Sequence, residues 1–279
     1  MKEDAIDSVI AAALREDLPQ GDITSESIIP EESRSEAIIL AKEEGVLAGM
    51  DVAQRVFARI DADVEFRKTK EDGQRFNEGE RLAVVRGSSI SILKGERTAL
   101  NFLQRMSGIA TTTWRFVQAL EGTKTKILDT RKTTPGLRVL EKYAVKMGGG
   151  KNHRHNLSEM VMIKDNHLKL VGSISEAVQR AKERVEPGIK VEVEATTLDE
   201  VKEAVRSGAD MIMLDNMSVE SMRDVVEWVK GKVSLEVSGK VSLDRVREIA
   251  ALGVDFISVG SLTHSYRSVD ISIEFTGEL

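Results

Sequence analysis

From residue 123 onward the chain alternates short apolar runs with amphipathic segments, and this rhythm limits the possible folds more than any other feature. The runs are KILD (126 to 129), EMVMIK (159 to 164), KVEVEA (190 to 195), DMIMLDN (210 to 216), SLEVSG (234 to 239) and DFISVGS (255 to 261). Between the later ones lie SISEAVQRAKERV, TLDEVKEAVRSG, SVESMRDVVEWVK and SLDRVREIAALG, whose apolar residues recur at helical spacing. The last four runs return about every 20 to 30 residues. This is the βαβ repeat of a parallel sheet, and without a GxGxxG dinucleotide fingerprint it favours a (β/α) barrel over an open Rossmann sheet. Six strands are visible, and a seventh or eighth is expected within 137–150.

The chain before residue 123 has a different pattern. An amphipathic helix with Ile6, Val9, Ile10 and Leu14 on one face ends before the turn Leu18-Pro19-Gln20-Gly21. Strand-like runs follow at 35–42, 45–49, 63–68 and 80–87, with a helix near 50–60 and polar turns around Gly73 and Gly79. These predict a small α+β domain ending near residue 90. The stretch 90–120 reads as helical, with an interruption expected at Ser107-Gly108.

Composition excludes several functions. The 279 residues are 41% apolar, enough for a sizeable core, and 46 acidic against 40 basic residues give a net charge of -6 with no basic footprint for nucleic acid. No Cys is present, which removes disulfides, thiolate metal sites and cysteine nucleophiles. The start, MKEDAIDSVIAAALRED, is too acidic and too interrupted for a signal peptide or membrane span, so a cytoplasmic protein with no membrane partner is expected.

In such barrels the chemistry lies where strands end. The runs are followed by Asp129-Thr130-Arg131-Lys132, Lys164-Asp165-Asn166, Glu194, Asp215-Asn216, Ser238-Gly239 and Gly260-Ser261. One such residue is readily a solvated strand end, but six in register are poorly explained that way. Between Arg131 and His167 eight Lys or Arg face only Glu141, Glu159 and Asp165, and three of the four histidines lie there. Lys142 and Lys146 read as ordinary surface charge. The others form a cationic half-site for carboxylates or phosphates.

Glu194 and Asp215, ending consecutive strands, suit a hard cation such as Mg²⁺ held together with substrate oxygens, or else serve as salt-bridge partners for the basic half. His153 and His155 would need further ligands to bind zinc. Gly148-Gly149-Gly150 allows close backbone approach to an anion, while Ser238-Gly239 and Gly260-Ser261 end the last two strands, the usual phosphate position. The residues alone thus predict an enzyme joining a carboxylated small molecule to a phosphorylated one.

The strings GERTALNFLQRMSGIAT, DTRKTTPGLR, KYAVKMGGGKNHR and MIKDNH, continued in order by VEVEA, LDN, SG and VGSLTHS, resemble the quinolinate phosphoribosyltransferase family, also called carboxylating nicotinate-nucleotide pyrophosphorylases. The resemblance runs from about residue 5 to 275. It implies an N-terminal α/β open-faced sandwich domain (1–105, with 266–279 returning to it) and an incomplete seven-stranded α/β (TIM-like) barrel at 106–265. It also implies a homodimer and a reaction that joins quinolinate to phosphoribosyl pyrophosphate, giving nicotinate mononucleotide, pyrophosphate and CO₂ in NAD biosynthesis.

By the same resemblance, Arg131, His153, Arg154 and Lys164 hold quinolinate, with Arg97 supplied by the other subunit. Lys132 lies between quinolinate and pyrophosphate and is catalytic together with Glu194 and Asp215, which meet the ribose hydroxyls and Mg²⁺. Ser238, Gly239, Lys240, Gly260 and Ser261 complete the phosphoribosyl pyrophosphate site. Lys151 and His155 are not supported by the motif. Two positions depart from the family pattern, which commonly has glycine where this chain has Asn156 and Lys240. Asn tolerates left-handed backbone, and Lys240 either adds a phosphate contact or points outward. The alternatives are a related phosphoribosyltransferase that uses nicotinate, or the homologue associated with molybdate transport. Nicotinate's single carboxylate fits this many cations less well.

Overall fold

A parallel strand covered on both sides has no solvated face, so a charged residue within it must meet a partner inside. The computed structural model describes residues 3 to 278, so residues 1, 2 and 279 of the expected terminal segments lie outside the described residues. By mutual packing the chain forms two units, Met1–Trp114 with Thr133–Gly149 and Ser261–Leu279, and Arg115–Lys132 with Gly150–Gly260.

The first unit begins with α1 (Glu3–Asp17), α2 (Ile23–Ile28), β1 (Arg34–Ala41), β2 (Gly45–Val46), α3 (Met50–Ile60), β3 (Glu65–Lys68), β4 (Arg75–Phe76) and β5 (Arg81–Ser88). Asp22 starts α2 by accepting the Thr24 and Ser25 N–H groups. Helix α4 (Ser89–Ala119) runs unbroken through Ser107-Gly108, contrary to the expected interruption. Gly108 is there for close packing, since a Cβ at that position would lie 2.2 Å from the Arg267 carbonyl oxygen. Ser107 Oγ meanwhile accepts the Ala48 N–H at 3.1 Å.

The remaining elements are β6 (Lys126–Leu128), α5 (Arg138–Met147), β7 (Val161–Ile163), α6 (Asp165–Val171), α7 (Ile174–Arg184), β8 (Val191–Ala195), α8 (Leu198–Arg206), β9 (Met211–Asp215), α9 (Val219–Val229), β10 (Ser234–Ser238), α10 (Leu243–Ala251), β11 (Phe256–Ser258), α11 (Ser261–His264) and β12 (Ile271–Glu278). In the first unit β12, β1, β5 and β3 form a four-stranded antiparallel sheet in that order. Ala37, Ile39 and Ala41 of β1 are fully buried.

The second unit is a six-stranded parallel sheet in the order β6-β11-β10-β9-β8-β7. The seventh position is filled by one residue. Lys151 forms a parallel bridge with Leu128 at the outer edge of β6, donating to the Ile127 carbonyl at 2.8 Å. Most of the segment where a hidden strand was expected is helix α5, because its apolar residues Leu140, Ala144 and Val145 recur at helical rather than strand spacing. Among the described residues β6 and β7 do not pair, so the barrel is incomplete. Connecting helices start at local caps, such as Thr197 and Glu200 at α8 and Ser173 at α7.

Candidate active site

The strands of the parallel sheet all end at one edge, so the residues after them gather there whatever their separation in sequence. Eleven of the candidates, Arg131, Lys132, His153, Arg154, Lys164, Glu194, Asp215, Ser238, Gly239, Lys240 and Gly260, fall in the second unit. Arg97 is exposed on α4 and Ser261 opens α11, both in the first unit.

Past β6, Asp129 is fully buried. Its Oδ1 accepts the His153 N–H at 2.9 Å and its Oδ2 accepts from the Asn152 amide. This pins the segment after Lys151 beside β6 and sets the backbone of the His-Arg pair. Arg154 Nη1 donates to the Met160 carbonyl at 2.9 Å. Burial, and then the nearby Arg131 guanidinium, hold Arg154 below the usual arginine range. Two guanidinium groups of like charge this close together make a site for an anion.

Lys164 Nζ donates to Glu194 Oε2 at 2.8 Å, joining the ends of β7 and β8. Glu194 is largely enclosed, its side chain 13% exposed. Asp215 ends β9 in register with Ser238 of β10. Asn216, at φ 52, donates its N–H to the Ser238 carbonyl at 3.0 Å and its amide to Asp215 Oδ2 at 2.7 Å. Asn216 also closes off one side of Gly239, where a Cβ would lie 2.3 Å from its Oδ1. Lys240 takes left-handed backbone at φ 47, and its side chain is exposed.

One sequence expectation is corrected by burial. Lys142, read as surface charge, is fully buried, whereas Lys146 is exposed. In the triple glycine, Gly148 packs against α4, where a Cβ would lie 2.3 Å from the Ala110 carbonyl oxygen, and Gly149 ends α5 at φ 87.

The sequence reading missed Glu192 and Glu236. Both are fully buried in mid-strand, on β8 and β10, and their Oε2 atoms lie 3.1 and 3.3 Å from His153 Nε2. Inward residues of alternate barrel strands share a layer, which is how side chains from two non-adjacent strands reach one ring. Ser258 donates to Glu236 Oε1 at 2.6 Å. A signal was present, since VEVE and LEVS each place a carboxylate at an inward position of an otherwise apolar strand. Among the described residues this trio is also the one group of His, Asp or Glu close enough to share a metal ion.

Burial alone favours a neutral His153 ring, but hydrogen bonds to Glu192 and then Glu236 outweigh it and push the ring up to about 9. Burial also pushes the Glu192 carboxyl up. The Arg154 N–H points at Nδ1 at 2.7 Å, which suits a ring protonated only on Nε2. Both facts are met when Nε2 keeps its own proton and a second one, held well above the ordinary histidine range, is shared with the carboxylates and so belongs to the trio as a whole.

This geometry agrees with the comparisons to known proteins. The model of "Quinolinate phosphoribosyl transferase, N-terminal domain" matches residues 22–107, and that of the C-terminal domain matches residues 109–274. A probable nicotinate-nucleotide pyrophosphorylase [carboxylating] of Bacillus subtilis is 44% identical over 261 residues, covering 94% of this chain and 90% of the relative. The crystal structure of NadC from Streptococcus pyogenes is 42% identical with a TM-score of 0.95, covering 100% of this chain and 98% of the other. The nicotinate-nucleotide pyrophosphorylase of Francisella tularensis has the same TM-score at 40% identity, covering 99% of this chain and 98% of that one. With both domain models matched in order and identity above 40% across nearly the whole chain, the protein belongs to the quinolinate phosphoribosyltransferase family.

Proposed function

We propose that this protein joins quinolinate to phosphoribosyl pyrophosphate, forming nicotinate mononucleotide, pyrophosphate and CO₂ in NAD biosynthesis. One observation carries the proposal. A single sheet edge is divided into a cationic side with Arg131, Arg154 and Lys164 and a carboxylate side with Glu194 and Asp215. The cationic side suits a dicarboxylate, which relieves the mutual repulsion of the two guanidinium groups. Lys132, exposed after β6, is assigned to the junction of quinolinate and pyrophosphate.

The pyridine nitrogen attacks the anomeric carbon as pyrophosphate leaves with the electron pair of the broken C–O bond. Holding the two reactants in line accounts for much of the rate, and Lys132 stabilises the departing charge. The N-alkylated ring then accepts the electron pair released when the 2-carboxylate leaves as CO₂, and a proton takes its place. No covalent enzyme intermediate is required.

Glu194 and Asp215 supply hard oxygens from neighbouring strands, a donor set that fits Mg²⁺ completed by substrate oxygens and water. When bound there, Mg²⁺ neutralises charge on the pyrophosphate. Ser238, Gly239, Lys240, Gly260 and Ser261 are assigned to the phosphate end. We assign the working form as a homodimer in which the exposed Arg97 reaches the quinolinate of the second copy. We also assign the protein to the cytoplasm, a reading supported by its acidic, cysteine-free composition. Among the described residues no helix is long and apolar enough to cross a membrane.

The test is incubation with quinolinate, phosphoribosyl pyrophosphate and Mg²⁺, following CO₂ and nicotinate mononucleotide. Both products should appear in equal amounts. Turnover of nicotinate with none of quinolinate would overturn the assignment.

A further inference from the structure

The proposed chemistry gives Glu192 and Glu236 no task, yet both are fully buried. Placing two carboxylates around one ring nitrogen is a poor way to stabilise a core, because an apolar pair of the same volume avoids their desolvation. Glu192 Oε1 is buried without a hydrogen-bond partner and Glu236 Oε2 meets only the His153 ring at 3.3 Å, so the cluster is not arranged to satisfy every oxygen. It is arranged around His153, whose side chain is only 6% exposed.

That ring is held at both nitrogens. Nε2 lies 3.1 Å from Glu192 and 3.3 Å from Glu236, and Nδ1 accepts the Arg154 N–H at 2.7 Å. The Asp129 contact to the His153 N–H fixes the backbone just before it. A ring tethered this way behaves as a strut, transmitting the position of β8 and β10 to the Arg154 backbone. We propose that Glu192 and Glu236 are positioning residues for the quinolinate site, clamping the His153 ring through Nε2 and, through Nδ1, setting the backbone from which Arg154 reaches the substrate. The proposal rests on the functional reading above. It also changes the part played by His153, which acts by supporting Arg154 more than by its own contact with quinolinate.

The experiment measures steady-state kinetics of Glu192→Gln and Glu236→Gln, alone and in a His153→Asn background. If the carboxylates act through the ring, each single variant should lose about tenfold in kcat/KM for quinolinate, with KM for phosphoribosyl pyrophosphate within about threefold of wild type. In the His153→Asn background either change should add less than about twofold, since coupled residues are not additive. Additive losses, or equal losses toward both substrates, overturn the proposal.

Should the variants not fold, nitrogen NMR of the wild-type protein, with His153 assigned by difference from His153→Asn, decides instead. A ring with Nε2–H protected from exchange supports the clamp, and a freely exchanging ring overturns it. Elemental analysis of the purified protein adds a further check, because one equivalent of a transition metal lost in Glu236→Gln makes the trio a metal site and removes the clamp. If the wild type does not turn over quinolinate at all, the functional reading fails first. If it does and the Glu variants match it, only the clamp fails.

Discussion

Lys164 Nζ lies 2.8 Å from Glu194 Oε2, so a cation assigned to quinolinate and a carboxylate assigned to ribose and Mg²⁺ hold each other across β7 and β8. Lys164→Ala should therefore act on both substrates. KM for quinolinate should rise about tenfold or more, the usual loss for a hydrogen bond to a charged group. The Mg²⁺ concentration for half-maximal rate should shift too, because Glu194 loses its cation. An unchanged quinolinate KM in a Lys164→Ala steady-state assay removes Lys164 from the ring site.

The His153 cluster predicts a pH dependence of stability. The ring titrates near 6.5 when unfolded and is pushed up to about 9 when folded. A raised pKa adds stability that is fully present below 6.5 and is lost as pH rises through 9, and the raised Glu192 carboxyl acts in the same direction. The contribution is at most about 3 kcal/mol. Thermal melting of the wild type should fall between pH 6 and pH 9.5, and His153→Asn should flatten that slope. Parallel slopes for the two proteins would show that the cluster is not the source.

Asn216 and Gly239 form a close pair beside Asp215. Asn216→Gly keeps the left-handed backbone but loses the amide to Asp215, whereas Asn216→Ala loses the amide and adds strain of about 1 kcal/mol or more. Both should raise KM for phosphoribosyl pyrophosphate, and only the alanine variant should also melt clearly earlier. Gly239→Ala should be worse than either, since its Cβ meets Asn216 Oδ1 at 2.3 Å at φ 95. Equal melting of the Asn216 variants would mean the backbone there is not strained.

Gly108 and Gly148 let backbone approach α4 and α5 in the first unit. A Cβ would lie 2.2 Å from the Arg267 oxygen at Gly108 and 2.3 Å from the Ala110 oxygen at Gly148, and backbone cannot swing aside as a side chain can. Each alanine variant should lose about 1 to 3 kcal/mol, read from denaturant midpoints.

The assigned dimer is tested by mixing. Arg97→Ala and Lys164→Ala proteins, each weak alone, should regain activity when their subunits exchange, because half of the mixed sites then carry both side chains. No recovery despite demonstrated exchange would place Arg97 outside the site.

Much of the site was legible because parallel strands all finish at one edge. Lys164, Glu194, Asp215 and Ser238 could be grouped from the apolar runs they follow, without coordinates. Helix α8 was equally legible from the helical spacing of its apolar residues, and the structure adds a cap at Thr197 and Glu200. The break expected at Ser107-Gly108 was misplaced because glycine weakens a helix on its own but is retained where another backbone passes close.

By itself, then, the sequence determined what depends on local periodicity and on strand direction: the alternation of strands and helices and the charged residues at the strand ends. Only the tertiary structure decided which side chains meet across the barrel. Glu192 and Glu236 stand on non-adjacent strands and reach His153 because the layered interior brings alternate strands together. Gly148 likewise owes its burial to Ala110 and Thr113, distant in sequence. Such contacts have no period along the chain, so spacing could not reveal them.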